Sequence, residues 1–343
     1  MNILHTIAGG AVGGAERFFV DLAIAFKTAG HVSEAVMRPN EARGRLLDAA
    51  GVQHTDVPFS RWLDFKTPHA IRTAANNMNA NVVLSWMGRA ARATPKGPYA
   101  RVARHGGYYT HKSFRDFDAQ ICNTPDLVRY LTEGGFDPST VHFIPNFTPI
   151  DSRPALPRAE FDTPEDALLL LSMGRLHDAK AFDVTLDALA ATPNAYLWIA
   201  GAGSLEDDLK KQARDLGISS RVRWLGWRDD PGRLLRTADI CVFPSRVEPF
   251  GNVIIASWAH GTPVVTANAT GPEWLVRHEE DALLVPRDNA PAVAEAIARI
   301  ANDSDLRQKL VAAGAARVES EFSQSVCIDR YLSVFRQVEE ARA

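Results

Sequence analysis

Residues 168–180 read Leu168-Leu169-Leu170-Leu171-Ser172-Met173-Gly174-Arg175-Leu176-His177-Asp178-Ala179-Lys180. A short apolar run, a glycine turn and then a longer amphipathic segment is the pattern of a βα unit on a parallel sheet. The same rhythm recurs along the chain. After position 165 it predicts strands at 168–172, 196–200, 222–225, 240–243, 263–266 and 283–285; before 145 it predicts them at 2–7, 32–37, 53–57, 81–85, 101–104, 119–122 and 141–144. Between the two series, positions 145–165 carry Pro145, Pro149, Pro154, Pro157 and Pro164 without periodicity, as a connection between domains does. Helical stretches at 290–301, 304–321 and 323–341 close the chain.

A length of 343 residues favours two domains, each able to bury its own core. The boundaries expected are a first Rossmann-like domain over 1–150, a linker over 151–165, a second Rossmann-like domain over 166–322, and a final helix over 323–343 that packs back on the first domain. Two parallel α/β sheets so joined place a cleft between their carboxyl edges, where open sheets bind ligands. Hydrophobic residues at 46% and charged residues at 23% fit a folded globular protein, and a net charge of −3 excludes a globally basic nucleic-acid binder. The three cysteines, Cys122, Cys241 and Cys327, have neither disulfide nor zinc spacing, and two lie in strand-like runs. With no basic leader and no apolar run of membrane-spanning length, a cytoplasmic protein is expected.

Chemistry concentrates at the strand ends. Gly9-Gly10-Ala11-Val12-Gly13-Gly14-Ala15-Glu16 follows the first strand and opens a helix, so its glycines let backbone amides approach an anion; a merely tight turn would use glycine too. In the second half, Arg175 and Lys180 sit on the turn leaving strand 168–172, where a pair of cations can meet a diphosphate and offset the charge that develops as it leaves. Strand 240–243 runs into Glu248-Pro249-Phe250-Gly251-Asn252-Val253 and a buried helix. Amides around Phe250 to Val253 form a phosphate site at that helix start, while Glu248 either accepts hydrogen bonds from sugar hydroxyls or caps the helix. Positions 87–115 hold Arg89, Arg92, Lys96, Arg101, Arg104, Lys112 and Arg115 with no acid and with aromatic residues interleaved. That stretch reads as a solvated basic face, an anionic-acceptor site or a contact with an anionic membrane.

Over nearly its whole length the chain resembles glycosyltransferase family 4, the retaining group 1 glycosyl transferases of GT-B fold. The resemblance is carried by Gly13 to Arg17, Ile144-Pro145-Asn146, Met173-Gly174-Arg175-Leu176 with Lys180, Trp224-Leu225-Gly226, and Glu248-Pro249-Phe250-Gly251 through Gly261-Thr262-Pro263-Val264-Val265. It implies an α/β GT-B fold, two Rossmann-like β/α/β domains facing each other across an interdomain cleft, with the acceptor on the first domain and the nucleotide sugar on the second. Arg175 and Lys180 would hold the donor diphosphate and Glu248 the donor sugar. Gly13, Gly14, Gly174, Phe250, Gly251, Asn252 and Val253 would complete the donor site, and His105 would stand near the reacting centre. Arg104, Lys112 and Arg115 would meet the acceptor.

Two positions depart from the family's pattern. Ala181 replaces the glycine after the lysine, and Ala256 replaces the second glutamate of the Glu-x7-Glu segment, which in the family accepts hydrogen bonds from the nucleotide ribose. The function expected is transfer of a hexose from a nucleoside-diphosphate sugar, such as a UDP-sugar, to a glycan or glycolipid of the cell-surface or lipopolysaccharide type. An epimerase or phosphorylase of GT-B fold, or a non-catalytic sugar-nucleotide-binding protein, are the alternatives. No Asp-x-Asp reads as a metal-binding pair, so neither metal nor other cofactor is expected. The partners expected are the nucleotide sugar and the acceptor, with peripheral contact at the inner face of the plasma membrane as a further expectation and no nucleic acid.

Overall fold

A computed structural model describes residues 1–10, 13–60 and 63–342. The chain forms two compact units, one from Met1–Asn146 with the C-terminal segment from Gln324, the other from Phe147–Ser323. Each is an α/β unit around one fully parallel sheet, the fold class expected from the sequence.

The first sheet comprises β1 (Asn2–Ile7), β2 (Val32–Met37), β3 (Gln53–Asp56), β4 (Val82–Trp86), β5 (Ala100–His105), β6 (Ala119–Cys122) and β7 (Val141–Phe143), in spatial order β3-β2-β1-β4-β5-β6-β7. The second comprises β8 (Leu168–Met173), β9 (Ala195–Ala200), β10 (Val222–Gly226), β11 (Ile240–Phe243), β12 (Val264–Ala267) and β13 (Leu283–Val285), in order β10-β9-β8-β11-β12-β13. In both, the chain moves outward from its first strand, then returns to that strand's other side. The reversal leaves a crevice at the carboxyl end of the first strand, where doubly wound sheets bind ligands.

The continuous leucine run of β8 has a direct cause. Helices cover both faces of the second sheet, so Leu170 points into one core with Leu197, Ile199 and Val242, while Leu169 and Leu171 point into the other with Trp198, Cys241 and Phe243. The helix Asn252–Ala259 lies in this second core with Ile254, Ile255 and Trp258 buried. All three cysteines are buried, and burial pushes each thiol up to about 12.

The proline-rich segment is held by the second unit. Leu156 is buried in its core, Leu156 N donates to Thr237 Oγ1 at 2.8 Å, and Trp198 Nε1 donates to Thr163 Oγ1 at 2.9 Å. Proline fixes φ but leaves neighbouring apolar side chains free to pack, which is why the segment lacks periodicity and is still docked. At the other end, the helix Gln324–Arg342 belongs to the first unit, where Tyr331 and Phe335 pack on Phe26 and Asn81 Nδ2 donates to Glu339 Oε1 at 2.7 Å.

Candidate active site

The second unit's crevice lies between the carboxyl ends of β8 and β11. Gly174, with φ 143, turns the chain out of β8, and a 3-10 turn over Asp178–Lys180 brings the lysine back. Lys180 Nζ lies 2.5 Å from Glu248 Oε2 and 5.1 Å from the centre of the Phe243 ring. Both side chains are sheltered, 24% and 11% exposed, so the pair is less screened than a surface salt bridge. Two predicted site residues from loops 68 positions apart therefore form one contact.

Glu248 also fulfils its alternative reading. Its Oε1 accepts from Gly251 N at 3.1 Å and, more weakly, from Phe250 N at 3.4 Å. The helix Asn252–Ala259 has Gly251 at its N-cap with φ 111 and no side-chain cap of its own. Glu248 thus supplies the negative charge that a helix start favours, and the expected phosphate site is narrower than Phe250 to Val253. The amide of Val253 lies in the first helical turn, where no carbonyl four residues earlier is available within the helix. A carboxylate accepts at up to four positions, so Glu248 retains capacity for sugar hydroxyls. Arg175 is exposed on the same turn.

Residues that sequence reasoning missed hold this arrangement. Val247 N donates to Ala179 O at 3.1 Å, joining the loop of Glu248 to that of Lys180. Arg246 spans the same two loops, donating to Asp183 at 2.5 and 2.9 Å, to Asp178 Oδ1 at 3.2 Å and to Asp288 at 2.5 Å. Burial raises the Asp183 pKa, but the Arg246 hydrogen bonds outweigh it and hold the carboxyl below its usual range. Beside them, Gly174 N and Leu176 N each donate at 3.0 Å to Ala200 O and Ala202 O. A Cβ on Gly201 would collide with Gly174 O, and one on Gly203 with Leu176 O. Gly271 likewise donates to Glu248 O at 2.7 Å, and a Cβ there would stand 2.6 Å from that oxygen and from Phe250 O. The Gly-Ala-Gly after β9 was the available signal.

The candidates on the first unit are placed differently. Gly13 is the N-cap of the helix Gly14–Thr28, but Glu16 folds back so that Gly10 N donates to its Oε1 at 2.8 Å. The turn's anion site thus already faces a carboxylate of the chain itself; Ala11 and Val12 lie outside the described residues. His105, one position past the predicted strand 101–104, is the last residue of β5 and 1% exposed. Burial lowers its pKa to about 4, and its Nε2 lies 2.8 Å from Gln120 Oε1, so the imidazole is neutral at physiological pH.

The solvated-face reading fails for Arg104, which is 2% exposed. Its Nε donates to Tyr331 Oη at 2.7 Å, the other nitrogens to His105 O and Asn146 Oδ1, and the guanidinium lies over Phe18 and Trp86. Arg115 donates to the carbonyls of Gly134 and Gly135, and Arg101 is buried against Asp116 and Phe117, whereas Lys112 is exposed. Two Asp-x-Asp triplets do occur, at 116–118 and 303–305, and three of their four carboxylates have local duties. Asp116 and Asp118 pair with Arg101 and Arg342, and Asp303 caps the helix Ser304–Arg317. Among the described residues no group of three His, Cys, Asp or Glu side chains converges as a ligand set for a metal.

Comparison with known proteins bears on the family and the fold. Residues 157–317, which carry Arg175, Lys180 and Glu248, match the family model of glycosyl transferases group 1. The chain is 38% identical over 331 residues to the lipopolysaccharide core biosynthesis glycosyltransferase LpsE of Rhizobium meliloti (strain 1021), covering 95% of this chain and 96% of that protein. The chain belongs to the group 1 glycosyl transferases. A second relative of this glycosyltransferase, LpsD of the same organism, is 32% identical and is covered, like this chain, over 98% of its length. The crystal structure of Anabaena Alr3699/HepE in complex with UDP-glucose superposes with a TM-score of 0.83 at 20% identity over 99% of both chains, a likeness of fold.

As a group 1 glycosyltransferase the chain has an informative departure at Ala181, which stands at φ 53, the left-handed conformation that glycine adopts freely. An L-residue there costs about 1–2 kcal/mol. The buried Ala181 methyl returns about 0.8 kcal/mol, and alanine avoids the roughly 0.5–1 kcal/mol that glycine loses in backbone freedom. The terms nearly cancel, which explains why alanine is tolerated. In denaturant titration, Ala181→Gly is expected within about 1 kcal/mol of the parent, whereas Ala181→Val, β-branched at positive φ in a packed core, loses about 2 kcal/mol or more.

Proposed function

We propose that this glycosyltransferase moves a sugar from a nucleoside-diphosphate sugar to a hydroxyl of a lipopolysaccharide core acceptor, with retention at the anomeric carbon. The observation that carries the reading is the contact of Lys180 with Glu248 at the crevice between β8 and β11, beside the start of the helix Asn252–Ala259. The cation and first-turn amides suit a diphosphate; the carboxylate suits sugar hydroxyls. The two relatives named for lipopolysaccharide core biosynthesis support the acceptor class. In the reaction, the bond from the anomeric carbon to the diphosphate oxygen breaks, a bond to the acceptor oxygen forms, and the hydroxyl proton leaves with the nucleoside diphosphate. Lys180, Arg175 and the helix start stabilise the negative charge on the leaving group.

Ala256 bears on the nucleotide. It lies one helical turn beyond Asn252, so a ribose reaching that turn meets a methyl where the family has a carboxylate. A weaker hold on the nucleoside than on the diphosphate follows. Transfer without a divalent cation is part of the proposal, since protein cations supply the charge a metal would otherwise bring.

Purified protein incubated with a panel of nucleotide sugars and a truncated core oligosaccharide tests the reading, with product configuration read by NMR. One donor class should give a product whose anomeric configuration matches the donor, and excess EDTA should leave the rate unchanged. Nucleotide binding without transfer from any donor would establish the non-catalytic alternative, and rates lost to EDTA and restored by magnesium or manganese would contradict metal independence.

A further inference from the structure

The ordinary reading of the contact between Lys180 and Glu248 is a structural salt bridge, yet the two loops do not need it. Val247 N already donates to Ala179 O at 3.1 Å, and Arg246 reaches Asp183 at 2.5 and 2.9 Å and Asp178 Oδ1 at 3.2 Å. Those bonds fasten the backbone beside the pair. The two oxygens of Glu248 also have separate partners: Oε1 accepts from Gly251 N at 3.1 Å and Phe250 N at 3.4 Å, while Oε2 faces Lys180 Nζ at 2.5 Å. The ammonium can therefore change partner without disturbing the start of the helix Asn252–Ala259.

The lysine is suited to such a change. A Cβ on Gly174 would stand 3.8 Å from its Cε and 3.9 Å from its Cγ and Cδ, so the stem lies over the bare glycine of the turn leaving β8. On its other side, Nζ stands 5.1 Å from the centre of the Phe243 ring. A stem seated on apolar contacts lets the charged head swing. Glu248 has no such freedom, being 11% exposed and tied to the helix start. A sheltered carboxylate that loses its cation loses stabilisation unless other donors replace it.

This asymmetry decides which ligand suits the site. A diphosphate that draws the ammonium to its own oxygens takes it from Glu248 and brings further negative charge toward the same carboxylate. Sugar hydroxyls are hydrogen-bond donors and can give Oε2 what the ammonium withdraws. A nucleoside diphosphate that has given up its sugar no longer brings them.

We propose that Glu248 is a built-in competitor of the diphosphate for Lys180, so that the site favours an intact nucleoside-diphosphate sugar over the nucleoside diphosphate left after transfer. Resting on the donor reading above, this competition adds product release to the duties of Glu248: as the sugar departs to the acceptor, the carboxylate loses its donors and reclaims the ammonium.

Calorimetric titration of the full chain and of Glu248→Gln with UDP, GDP and ADP, their monophosphates, UDP-glucose, GDP-mannose and ADP-glucose tests the competition. Glutamine keeps the length and an oxygen for Gly251 N, and melting curves check that the variant is folded. For the base the protein takes, Glu248→Gln should bind the nucleoside diphosphate about tenfold tighter than the parent, one charge-assisted contact returned to the phosphate, with monophosphate affinity within about twofold. The nucleotide sugar should bind the variant no tighter than the parent. In a Lys180→Gln background the same change should move diphosphate affinity by less than about twofold, because the contested ammonium is gone. A merely structural salt bridge would instead give weaker binding of diphosphate and nucleotide sugar alike. Diphosphate affinity unchanged or weakened in folded Glu248→Gln, or an equal tightening in the Lys180→Gln background, overturns the proposal and leaves the transferase reading standing. Independently of the variant's stability, the best-bound nucleotide sugar should hold to the parent several-fold tighter than its own nucleoside diphosphate, and the reverse order overturns the proposal. Binding of no nucleotide by parent and variant alike removes the transferase reading and the proposal with it.

Discussion

Lys180→Met is expected to lower turnover with a nucleoside-diphosphate sugar by on the order of 10²–10³-fold, the effect of removing one preorganised group that stabilises transition-state charge. Methionine keeps an apolar stem over the Phe243 ring, so packing is largely conserved while the cation is lost. The substitution leaves Glu248 with its two amide contacts and no ion pair, a loss of about 1–3 kcal/mol for a sheltered group. Melting curves show whether the protein remains folded at the assay temperature, and initial rates then report the catalytic loss. Arg175→Ala, on the same turn, should act in the same direction. Activity within threefold of the parent for both variants would remove these cations from the mechanism.

A second large effect is expected where no functional group is touched. The Cβ introduced by Gly201→Ala collides with the Gly174 carbonyl oxygen, a backbone atom that can yield only if the whole turn moves. That turn carries Arg175 and is held by Gly174 N to Ala200 O and Leu176 N to Ala202 O. Overpacking of this kind costs about 1–3 kcal/mol. Displacing a charge-stabilising turn by even 1 Å lowers rate by about 10²-fold. Gly217→Ala is the matched control: Gly217 has φ 69 with nothing within 4 Å of its missing Cβ. It should cost roughly 1 kcal/mol in stability through backbone strain and leave kcat intact. Denaturant titration and kcat measured side by side separate the two; loss of stability without loss of kcat in Gly201→Ala would show that the 174–176 turn does not position the cations.

The fold was legible because parallel strands covered on both faces have to be short apolar runs, and Leu168 to Leu171 leave little else to choose. The second unit's site was legible for a related reason: the residues at strand ends follow their strands directly in sequence, so Gly174, Arg175, Lys180 and Glu248 could be placed at one sheet edge. What sequence patterns could not show are contacts between distant positions. Arg104 counts as one more cation in a basic stretch until Tyr331, 227 residues away, accepts from its Nε. The glycine turn after β1 reads as an anion cradle until Glu16 folds into it. Gly201 and Gly203 need a neighbouring loop to acquire meaning, since the reason for their missing side chains lies at Gly174 and Leu176.

In the proposed reaction the second unit grips a diphosphate through Lys180 and the helix start behind Glu248. Calorimetric titration of the parent and of Lys180→Ala with a nucleoside diphosphate and the matching monophosphate tests this most directly. The parent should bind the diphosphate tighter by about tenfold, the value of one charge-assisted contact, and the advantage should vanish in Lys180→Ala while monophosphate affinity stays within about twofold. An undiminished preference for the diphosphate in the folded variant would contradict the account.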